Sequence, residues 1–589
     1  MNLYTRKVRL RSTSWRPEID QSPNKHNDII ATFSQRIGVC TLLIDARSLP
    51  ENEKIQTDVC IVGAGLAGIT LALEFIDKGF RVCILESGGP KPHPETQSLV
   101  WGENVGHPYF SLDTAYSCCL GGSVNRWELS VGNYHLGARM RPLDSIDFEE
   151  RDWIPYSGWP FEKSHLDPYY DRAQKICKID PLSFNVRDWE GTGRAQFPVL
   201  NGVETTLFKF GLRDPFLDDY ITQVARAGNI QLYIYATVVE VETDGTAQNV
   251  NFLRVTCPSG KEFTVSANIY ILATNGIETP RLLLLSNKTQ RTGLGNQHDL
   301  VGRFFMEHPH CWSGVFIPST QDTFRRAGFY SRVHIIDGIA VIGKLVLSDK
   351  LIRHEKLLNY VAELVPRVLL YSSLSDNLFP PVPSDSVHSF KVIRSAILGG
   401  TLPENLGRNL KHIAKGMDDI SLTVYRNIKR KFIRVFNKKK VRIFRLANMS
   451  EQAPNPMSRV TLSSEKDRFG RNFARLDWRL SAIDKQSIRR SQEILGKELS
   501  RAGLGRLYIE LSDETPPQVI TGGWHQMGTT RMHRDPRKGV VNEHCRVHGI
   551  SNLYISGPSV FPTSGYANPA LTIVALAVRL ADHITSVFS

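Results

Sequence analysis

The stretch "TDVCIVGAGLAGITLALEFIDKGFRVCILESGG" (residues 57–89) decides the fold of this chain. "DVCIVGAG" is typical of a buried strand, "AGITLALEFIDKG" of a helix that ends at Gly79, and "RVCIL" of a second, parallel strand. The turn between the first strand and the helix has the spacing Gly63-x-Gly65-x-x-Gly68. Together these features predict a βαβ unit that binds a dinucleotide.

Each position of the glycine motif has a physical role in binding a pyrophosphate. Gly63 permits the tight turn, Gly65 lets the backbone approach the phosphates, and Gly68 lets the helix pack on the strand. The positive N-terminus of the helix then faces the phosphates. Glu86 ends the second strand, 18 residues after Gly68, where its carboxylate can accept a hydrogen bond from a ribose hydroxyl.

The length and composition indicate a globular protein with sizeable cores. The 589 residues allow several domains, and 41% are hydrophobic while 22% are charged. No apolar run of about 18 residues occurs, and the N-terminal residues lack the apolar core of a secretory signal, so we expect neither a transmembrane helix nor a signal peptide. The nine scattered cysteines include no Cys-x-x-Cys pair. This argues against a disulfide framework or a metal site and favours a reducing, cytoplasmic setting.

Three further segments and the C-terminal stretch carry a resemblance to a known family. "LESGG", "ATVVEVETDG" (236–245) and "IYILATNGIETPRLLLLSN" (269–287) are similar to successive parts of one FAD-binding domain. "HQMGTTRM" (525–532) and "VVNEHCRVHGISNLYISGPSVFPTSGYANPALTIVALAVRLADHI" (540–584) resemble the glucose–methanol–choline (GMC) oxidoreductases. Within that family the similarity is to the branch of pyranose oxidase and bacterial sugar and glycoside dehydrogenases. It extends over residues 42–589 and is weakest over 320–445.

The resemblance implies an α/β fold in which a Rossmann-like FAD-binding domain is interleaved with an α+β substrate domain of mostly antiparallel sheet plus helices. We expect the FAD-binding domain over 42–150, 200–310 and 535–589, the substrate domain over 151–199 and 311–534, and a poorly ordered extension over 1–41. "EQAPNPMSRVTL" and "ARLDWRL" predict two strands joined by a turn at "KDRFGRN", which would suit the sheet of the substrate domain.

The net charge of +13 is concentrated in residues 403–446, where thirteen lysines and arginines face three acidic residues. Because the charge is confined to this one segment rather than spread along a binding face, we do not expect nucleic acid as a partner. Part of the segment, "LTVYRNIKRKFIRVF", has helical spacing. We favour a solvated helix over the substrate domain, and a lid, an oligomer contact or an anionic-membrane contact are the alternatives.

Two residues of the C-terminal stretch are the candidate catalytic pair. His525 lies in the loop "TGGWHQMGTTRMH" (521–533), and Asn568 precedes Pro569 at the start of an apolar helix. Taken alone, His525 could be a structural loop histidine and Asn568 an N-cap. The resemblance implies that they form the family's His–Asn pair. A histidine, with a reference pKa of about 6.5, suits the removal of a hydroxyl proton, and Asn568 would donate to the developing alkoxide.

The resemblance also implies which residues contact the flavin. "CCLGGSVNRWE" (118–128) would pass along the isoalloxazine, with Gly121 and Gly122 permitting close approach and Asn125 offering hydrogen bonds. The positive end of the last helix would point at the flavin. Further residues implied to bind FAD are Val238, Thr274, Gly557, Asn568 and Pro569.

Three more expectations concern residues near this site. Pyranose oxidase has a histidine linked covalently to FAD in the loop where this chain has Arg126, so we expect FAD to be bound non-covalently. Cys118 and Cys119 are expected to pack in the core rather than to take part in redox chemistry. His308 and His310 of "DLVGRFFMEHPH" (299–310) are expected to be structural, with a place at the rim of the site as the alternative.

These features predict an FAD-dependent oxidoreductase that takes a hydride from a CH–OH group of a sugar or glycoside, with His525 as the base. The alternative is a flavin-containing lyase of the cyanohydrin type, which shares the fold family. A flavin-binding protein without catalysis is disfavoured because both members of the His–Asn pair are present. The expected partners are a small-molecule alcohol and an electron acceptor that the sequence does not identify.

Overall fold

The computed structural model describes residues 43–588 except for 128, 132–133, 181–182, 187–195, 199, 371–388, 391–392, 394–405, 416–439 and 512–519. The extension expected over residues 1–41 therefore lies outside the described residues.

The described strands form four sheets. In chain order they are β1 (Leu43–Asp45), β2 (Lys54–Gln56), β3 (Val59–Val62), β4 (Val82–Leu85), β5 (Gly102–Asn104), β6 (Leu129–Val131), β7 (Tyr134–Met140), β8 (Val203–Leu212), β9 (Ile230–Ile234), β10 (Thr237–Thr243), β11 (Val250–Thr256), β12 (Glu262–Ser266), β13 (Ile269–Leu272), β14 (His310–Pro318), β15 (His334–Ile336), β16 (Ile339–Leu347), β17 (Tyr360–Leu370), β18 (Lys440–Ser450), β19 (Arg459–Lys466), β20 (Asn472–Asp477), β21 (Gly505–Ile509) and β22 (Leu553–Ile555).

The described α-helices range from single turns to long core helices. In chain order they are α1 (Leu66–Phe75), α2 (Pro94–Gln97), α3 (Leu112–Ala115), α4 (Ser145–Phe148), α5 (Lys163–Ile176), α6 (Tyr220–Arg226), α7 (Glu278–Leu285), α8 (Gln321–Arg326), α9 (Asp349–Glu355), α10 (Leu406–Lys415), α11 (Ala482–Arg501) and α12 (Ala570–Phe588).

A parallel sheet with the order β1-β9-β4-β3-β13-β22 contains the predicted βαβ unit. β3 and β4 are buried at every position and pair in parallel, and α1 connects them, so the predicted βαβ unit is confirmed, although the helix ends at Phe75 rather than at Gly79. β3 lies between β4 and β13, so the chain departs in opposite directions on its two sides. In open parallel sheets such a switch point leaves a ligand crevice at the carboxyl end of the strand, which here is the start of the glycine motif. A second sheet, β10-β11-β12-β2, packs nearby.

A largely antiparallel sheet with the order β21-β14-β18-β17-β16-β8-β7-β6 forms the second layer, and β15 pairs with β16 at its side. One face packs on α11 and the other carries a separate apolar cluster that includes Tyr566. The two sheet types, one parallel with helices and one antiparallel, establish the predicted α/β class with an α+β second unit.

The sheets divide the chain differently from the ranges expected above. β6, β7 and β8 belong to the antiparallel sheet, although 42–150 and 200–310 were expected to be FAD-binding domain throughout. Conversely, α5 falls in a range expected for the substrate domain and packs against α12. The reason is that long-range strand pairing, rather than local pattern, decides to which sheet a strand belongs.

The hairpin predicted at "SRVTL…ARLDW" is confirmed as β19 and β20, which pair antiparallel around a turn at 467–471. Its expected place in the large sheet is wrong. The hairpin forms a separate sheet with β5, which pairs in parallel with β20.

Helix α12 is apolar nearly all round because it is a core helix. Among the described helices it is the one that is long and apolar enough to cross a membrane, and 67% of its apolar window is buried inside the protein. It packs against α1 and α5. Burial by protein on most sides explains its composition.

The basic segment is only partly described. Within 403–446, residues 406–415 form α10 and residues 440–446 belong to β18, which lies between β14 and β17. The end of the segment is therefore a strand in the sheet rather than a surface helix. The stretch "LTVYRNIKRKFIRVF" lies outside the described residues, so the solvated helix expected there, with a lid, an oligomer contact or a membrane contact as the alternatives, stays a prediction.

Candidate active site

The glycine motif forms a turn that only glycine fits. Gly63 has φ +102°, and a Cβ at Gly68 would lie 1.9 Å from the Gly63 carbonyl oxygen. Helix α1 begins directly after Gly65, and its first turn holds only uncharged residues. The N–H groups of that turn therefore meet no competing carboxylate from the helix itself, which suits an anionic phosphate.

Glu86 is buried and bonded to the backbone of the same turn. Its Oε2 accepts from the Ala64 N–H at 2.9 Å, and its Oε1 accepts from the Gly88 N–H at 2.9 Å. Burial raises its pKa, and the two backbone donors oppose that shift. Since each carboxylate oxygen has two lone pairs, the side chain can hold the turn and still accept a ribose hydroxyl.

The loop at 118–122 lies directly beside the glycine motif. The Gly121 N–H donates to the Ala64 carbonyl at 2.9 Å. A Cβ at Gly122, which has φ +52°, would lie 3.0 Å from the Gly65 Cα. The expected role of Asn125 changes, because its Nδ2 donates to the Leu120 and Gly122 carbonyls at 2.9 Å each and so fixes the loop itself.

Arg126 is bonded away to the preceding segment. Its Nε donates to the Ser117 Oγ at 2.7 Å, and its Nη2 donates to the Tyr116 carbonyl at 2.8 Å. Cys118 and Cys119 are buried thiols, and burial raises the pKa of both. Buried thiols with raised pKa values are poor nucleophiles, in keeping with a packing role.

The remaining residues expected at the cofactor gather at the carboxyl ends of neighbouring strands. Thr274 follows β13, and its Cγ2 would lie 3.3 Å from a Cβ at Gly63. Gly557 follows β22 with φ +131°, and a Cβ there would lie 3.0 Å from the Thr274 carbonyl oxygen. On the other side of the motif, the Ala236 N–H donates to the Glu86 carbonyl at 2.8 Å, which brings Val238 and its strand to the same edge.

The chemistry of this edge fits an FAD molecule. Of the buried polar side-chain atoms that have no partner among the described residues, three are next to or part of an expected FAD contact: Thr237 Oγ1, Ser556 Oγ and Asn568 Oδ1. Buried polar groups are almost always hydrogen-bonded in a functional protein. Hydroxyls and an amide oxygen placed along a crevice that starts at the glycine motif are suitable partners for a ribityl chain and an isoalloxazine.

The structure brings the two candidate catalytic residues together. Asn568 Nδ2 and His525 Nε2 lie 3.0 Å apart, although 43 residues separate them in the chain. Helix α12 begins at Ala570, and the Ile573 N–H donates to the Pro569 carbonyl at 2.8 Å. Because Asn568 Oδ1 has no partner among the described residues, the side chain does not cap the helix and faces His525 instead.

A second histidine determines which nitrogen of His525 is basic. His308 Nε2 lies 3.2 Å from the Ser564 carbonyl oxygen, which can only accept, so this nitrogen carries a proton. Burial lowers the pKa of His308 to about 4, so the ring is neutral and its Nδ1 is an acceptor. His525 Nδ1, at 2.9 Å, must then donate to it. The lone pair of His525 is therefore on Nε2, which faces Asn568.

A buried carboxylate holds the backbone of the loop. Glu307 accepts from the Gly523 N–H at 2.9 Å and from the His525 N–H at 2.9 and 3.0 Å, and the Tyr109 hydroxyl also donates to it. Burial raises its pKa to about 7 against these donors. Sequence reasoning missed Glu307. The signal available was its place beside His308 in "MEHPH".

Burial and nearby positive charge keep His525 neutral. Burial lowers its pKa well below the usual value, and His308, His310, Arg139 and Lys344 lower it further. His310, whose pKa burial lowers to about 3, lies with its ring centroid 6.4 Å from that of His525. Its buried Nε2 has no partner among the described residues. His310 therefore faces the site, as its alternative assignment expected, while His308 orients the base.

The described residues contain no group of three or more His, Cys, Asp and Glu that could hold a metal ion. The donor set of this site consists of imidazoles and an amide held by hydrogen bonds. It is suited to moving a proton to and from an oxygen atom.

Comparison with known proteins is consistent with this geometry. A family model described as GMC oxidoreductase matches residues 454–577, and one described as FAD binding domain matches residues 58–96. The chain is 28% identical to the fructose dehydrogenase large subunit of Gluconobacter japonicus, over 90% of this chain and 98% of that protein. It is 25% identical to the 2-methyl-1,2-propanediol dehydrogenase of Mycolicibacterium austroafricanum, over 91% and 96%. It is 22% identical to the 6'''-hydroxyparomomycin C oxidase of Streptomyces lividus, over 90% and 91%.

Proposed function

Because the chain belongs to the GMC oxidoreductases and has an FAD-binding domain, we propose that it oxidises a CH–OH group of a sugar or glycoside with non-covalently bound FAD. The observation that carries the proposal is the contact between His525 Nε2 and Asn568 Nδ2 beside the edge of the parallel sheet. Relatives that match over nearly their whole length and are named for fructose and for 6'''-hydroxyparomomycin C support a sugar or glycoside substrate.

The proton of the substrate hydroxyl goes to His525 Nε2. His308 donates from Nε2 to the Ser564 carbonyl and accepts at Nδ1 from His525 Nδ1. His525 Nε2 is therefore unprotonated, and it faces the amide of Asn568. Because these two nitrogens are already in hydrogen-bond contact, a substrate hydroxyl would replace that contact, donating to Nε2 and accepting from Asn568 Nδ2. As the proton leaves, the amide N–H stabilises the developing alkoxide.

FAD, when bound, supplies the acceptor of the hydride that leaves the carbon. The residues that would hold it are those at the carboxyl edge of the parallel sheet, namely Gly63, Gly65, Gly68, Glu86, Gly122, Val238, Thr274 and Gly557. The uncapped N-terminus of α12 adds a fractional positive charge next to Pro569, which favours a negative charge on a nearby group.

The test is anaerobic flavin reduction by a panel of sugars and glycosides. Wild-type protein should lose its flavin absorbance with at least one sugar. His525→Ala should lower the rate constant of reduction by about 100-fold or more while FAD stays bound. His298→Ala, at an exposed position, is the matched control. An unchanged rate in the His525 variant would remove the assignment.

The same experiment distinguishes oxidation from the alternative lyase reaction. A cyanohydrin lyase would form its carbonyl product while the flavin stays oxidised, and no described contact favours that reaction over oxidation.

Denaturation in acid or organic solvent should release all the flavin, because Arg126 replaces the histidine that pyranose oxidase links to FAD. A yellow denatured polypeptide would show the opposite. Peroxide formation in air, set beside dye reduction, then identifies the electron acceptor class.

A further inference from the structure

Three charged side chains lie on the face of the antiparallel sheet that looks toward the candidate base. Lys344 pairs with Thr206 on β8, and Arg139 pairs with Phe210, so both point to the same side as the alternate residues of β8. Glu363, two residues after Val361 on β17, shares that side because Val361 pairs with Val346.

The same side of the sheet carries His310. His310 pairs with Met449 on β18, and Met449 pairs with Val361 on β17. The apolar part of this side packs on Tyr566, two residues before Asn568. The charged residues therefore form the floor of the space that holds the His525–Asn568 pair.

The charges on this floor do not cancel. Glu363 Oε2 accepts from Arg139 Nη1 at 3.1 Å and from Lys344 Nζ at 3.3 Å, so one carboxylate serves two cations. The side chain of Lys344 is 2% exposed and that of Glu363 is 15% exposed. Among the described side chains, Glu363 is the one acidic partner of either cation, which leaves one positive charge.

A floor that served packing alone would carry apolar residues or a neutral pair. Burying a charge is costly unless a partner and hydrogen bonds compensate it. Here Lys344 is buried and shares its acidic partner, Glu363, with Arg139. Burial, and to a smaller extent Arg139, lower the pKa of Lys344 to about 8, while Glu363 opposes that shift. Arg139, whose side chain is 35% exposed, contacts Glu363 through Nη1, and its guanidinium carries five N–H donors in all.

We propose that Arg139, Lys344 and Glu363 bind the hydroxyl groups next to the oxidised carbon of an uncharged polyol and exclude substrates that carry an ammonium group there. The inference rests on the proposed function and names its substrate class. The fork of Arg139 can donate to two neighbouring oxygens, and the second oxygen of Glu363 can accept from a hydroxyl. An ammonium group would add a like charge to a floor that is already positive.

The test compares neutral sugars with their amino derivatives, for example glucose with glucosamine and galactose with galactosamine, as reductants of the holoenzyme flavin. At pH 7, for each pair in which the neutral sugar is oxidised, the wild type should have at least a tenfold higher kcat/KM for that sugar than for its amino derivative. Glu363→Gln removes the acidic partner that Arg139 and Lys344 share and should widen this ratio. Arg139→Gln removes one cation and should narrow it, and Arg139→Glu should narrow it further.

Arg325→Glu, on an exposed helix position with a side chain that is 76% exposed, is the matched charge-reversal control and should leave the ratio unchanged. If Arg139→Glu does not bind FAD, the kcat/KM ratios of Glu363→Gln and Arg139→Gln alone test the expected order. A wild-type ratio near one, or Gln variants whose ratios move in the opposite order, would overturn the inference. Failure of the proposed function is a different result, because then no sugar reduces the wild-type flavin.

Discussion

The Nδ1 atoms of His308 and His525 lie 2.9 Å apart, and this contact fixes the tautomer of the candidate base. The direction of the proton follows from the far side of His308, where the Ser564 carbonyl can only accept. An orienting acceptor behind a catalytic imidazole is usually a carboxylate, which also stabilises the imidazolium. Here the acceptor is a neutral imidazole, so it orients the base without raising its pKa.

His308→Ala should therefore lower the rate constant of flavin reduction by roughly 10- to 100-fold, because His525 loses the acceptor that keeps its proton on Nδ1. His308→Gln places a carbonyl oxygen that can accept from the same N–H, and it should retain more activity than the alanine variant. Stopped-flow reduction at saturating sugar, with FAD content measured for each variant, checks this. Equal rates in the two variants would contradict an orienting role.

Asn568→Asp should change the pH dependence of the reaction. In the wild type the pKa of His525 is well below its usual value, so we expect kcat/KM to stay constant as pH falls to about 6. A carboxylate 3.0 Å from Nε2 would stabilise the imidazolium and raise that pKa. The acid limb of the kcat/KM profile should then move to higher pH. Asn568→Ala, which adds no charge, should leave the limb in place, and a shift in both variants would refute the charge argument.

Glu307→Gln should separate the loop from its anchor. The carboxylate accepts from two backbone N–H groups of the loop, whereas an amide offers one acceptor and an N–H that faces other donors. We expect kcat to fall about tenfold or more and KM to change less.

Because the pKa of Glu307 is raised to about 7, its side chain in the folded protein holds a proton that the unfolded chain has lost between about pH 4.5 and 7. This contribution to stability decreases as pH rises through that window, and it should be absent from the melting temperatures of the variant.

The sequence was sufficient to predict the parallel unit because its information is local. β3, the glycine turn, α1 and β4 follow one another within residues 57–89, and each has its own pattern. The assignment of β6 to β8 could not be made in this way. Of these strands, β8 pairs with β16 more than a hundred residues away, and the burial of most of its positions removes the alternation that would show its face.

The candidate site shows the same division. His525 and Asn568 stand in motifs that resemble a family, and the structure places them in contact. Asn125 carries an amide in the expected loop, but its hydrogen bonds serve the loop, and residue type alone does not reveal the direction of a side chain. Glu307 acts through contacts with Gly523 and His525, which lie 216 and 218 residues further along the chain, so no spacing pattern marks its role.

Gly68→Ala tests whether the turn at the head of α1 holds the cofactor. A Cβ at this position would lie 1.9 Å from the Gly63 carbonyl oxygen, closer than any non-bonded contact permits, so α1 would have to move away from β3. That movement displaces the N–H groups that face the phosphates. We expect purified Gly68→Ala to contain less than about a tenth of the FAD of the wild type, judged from flavin absorbance per protein. Gly79→Ala is the control, because a Cβ there would meet no described atom within 4 Å. Normal FAD content in Gly68→Ala would show that the phosphates are held elsewhere, and equal loss in both variants would point to general destabilisation of the βαβ unit.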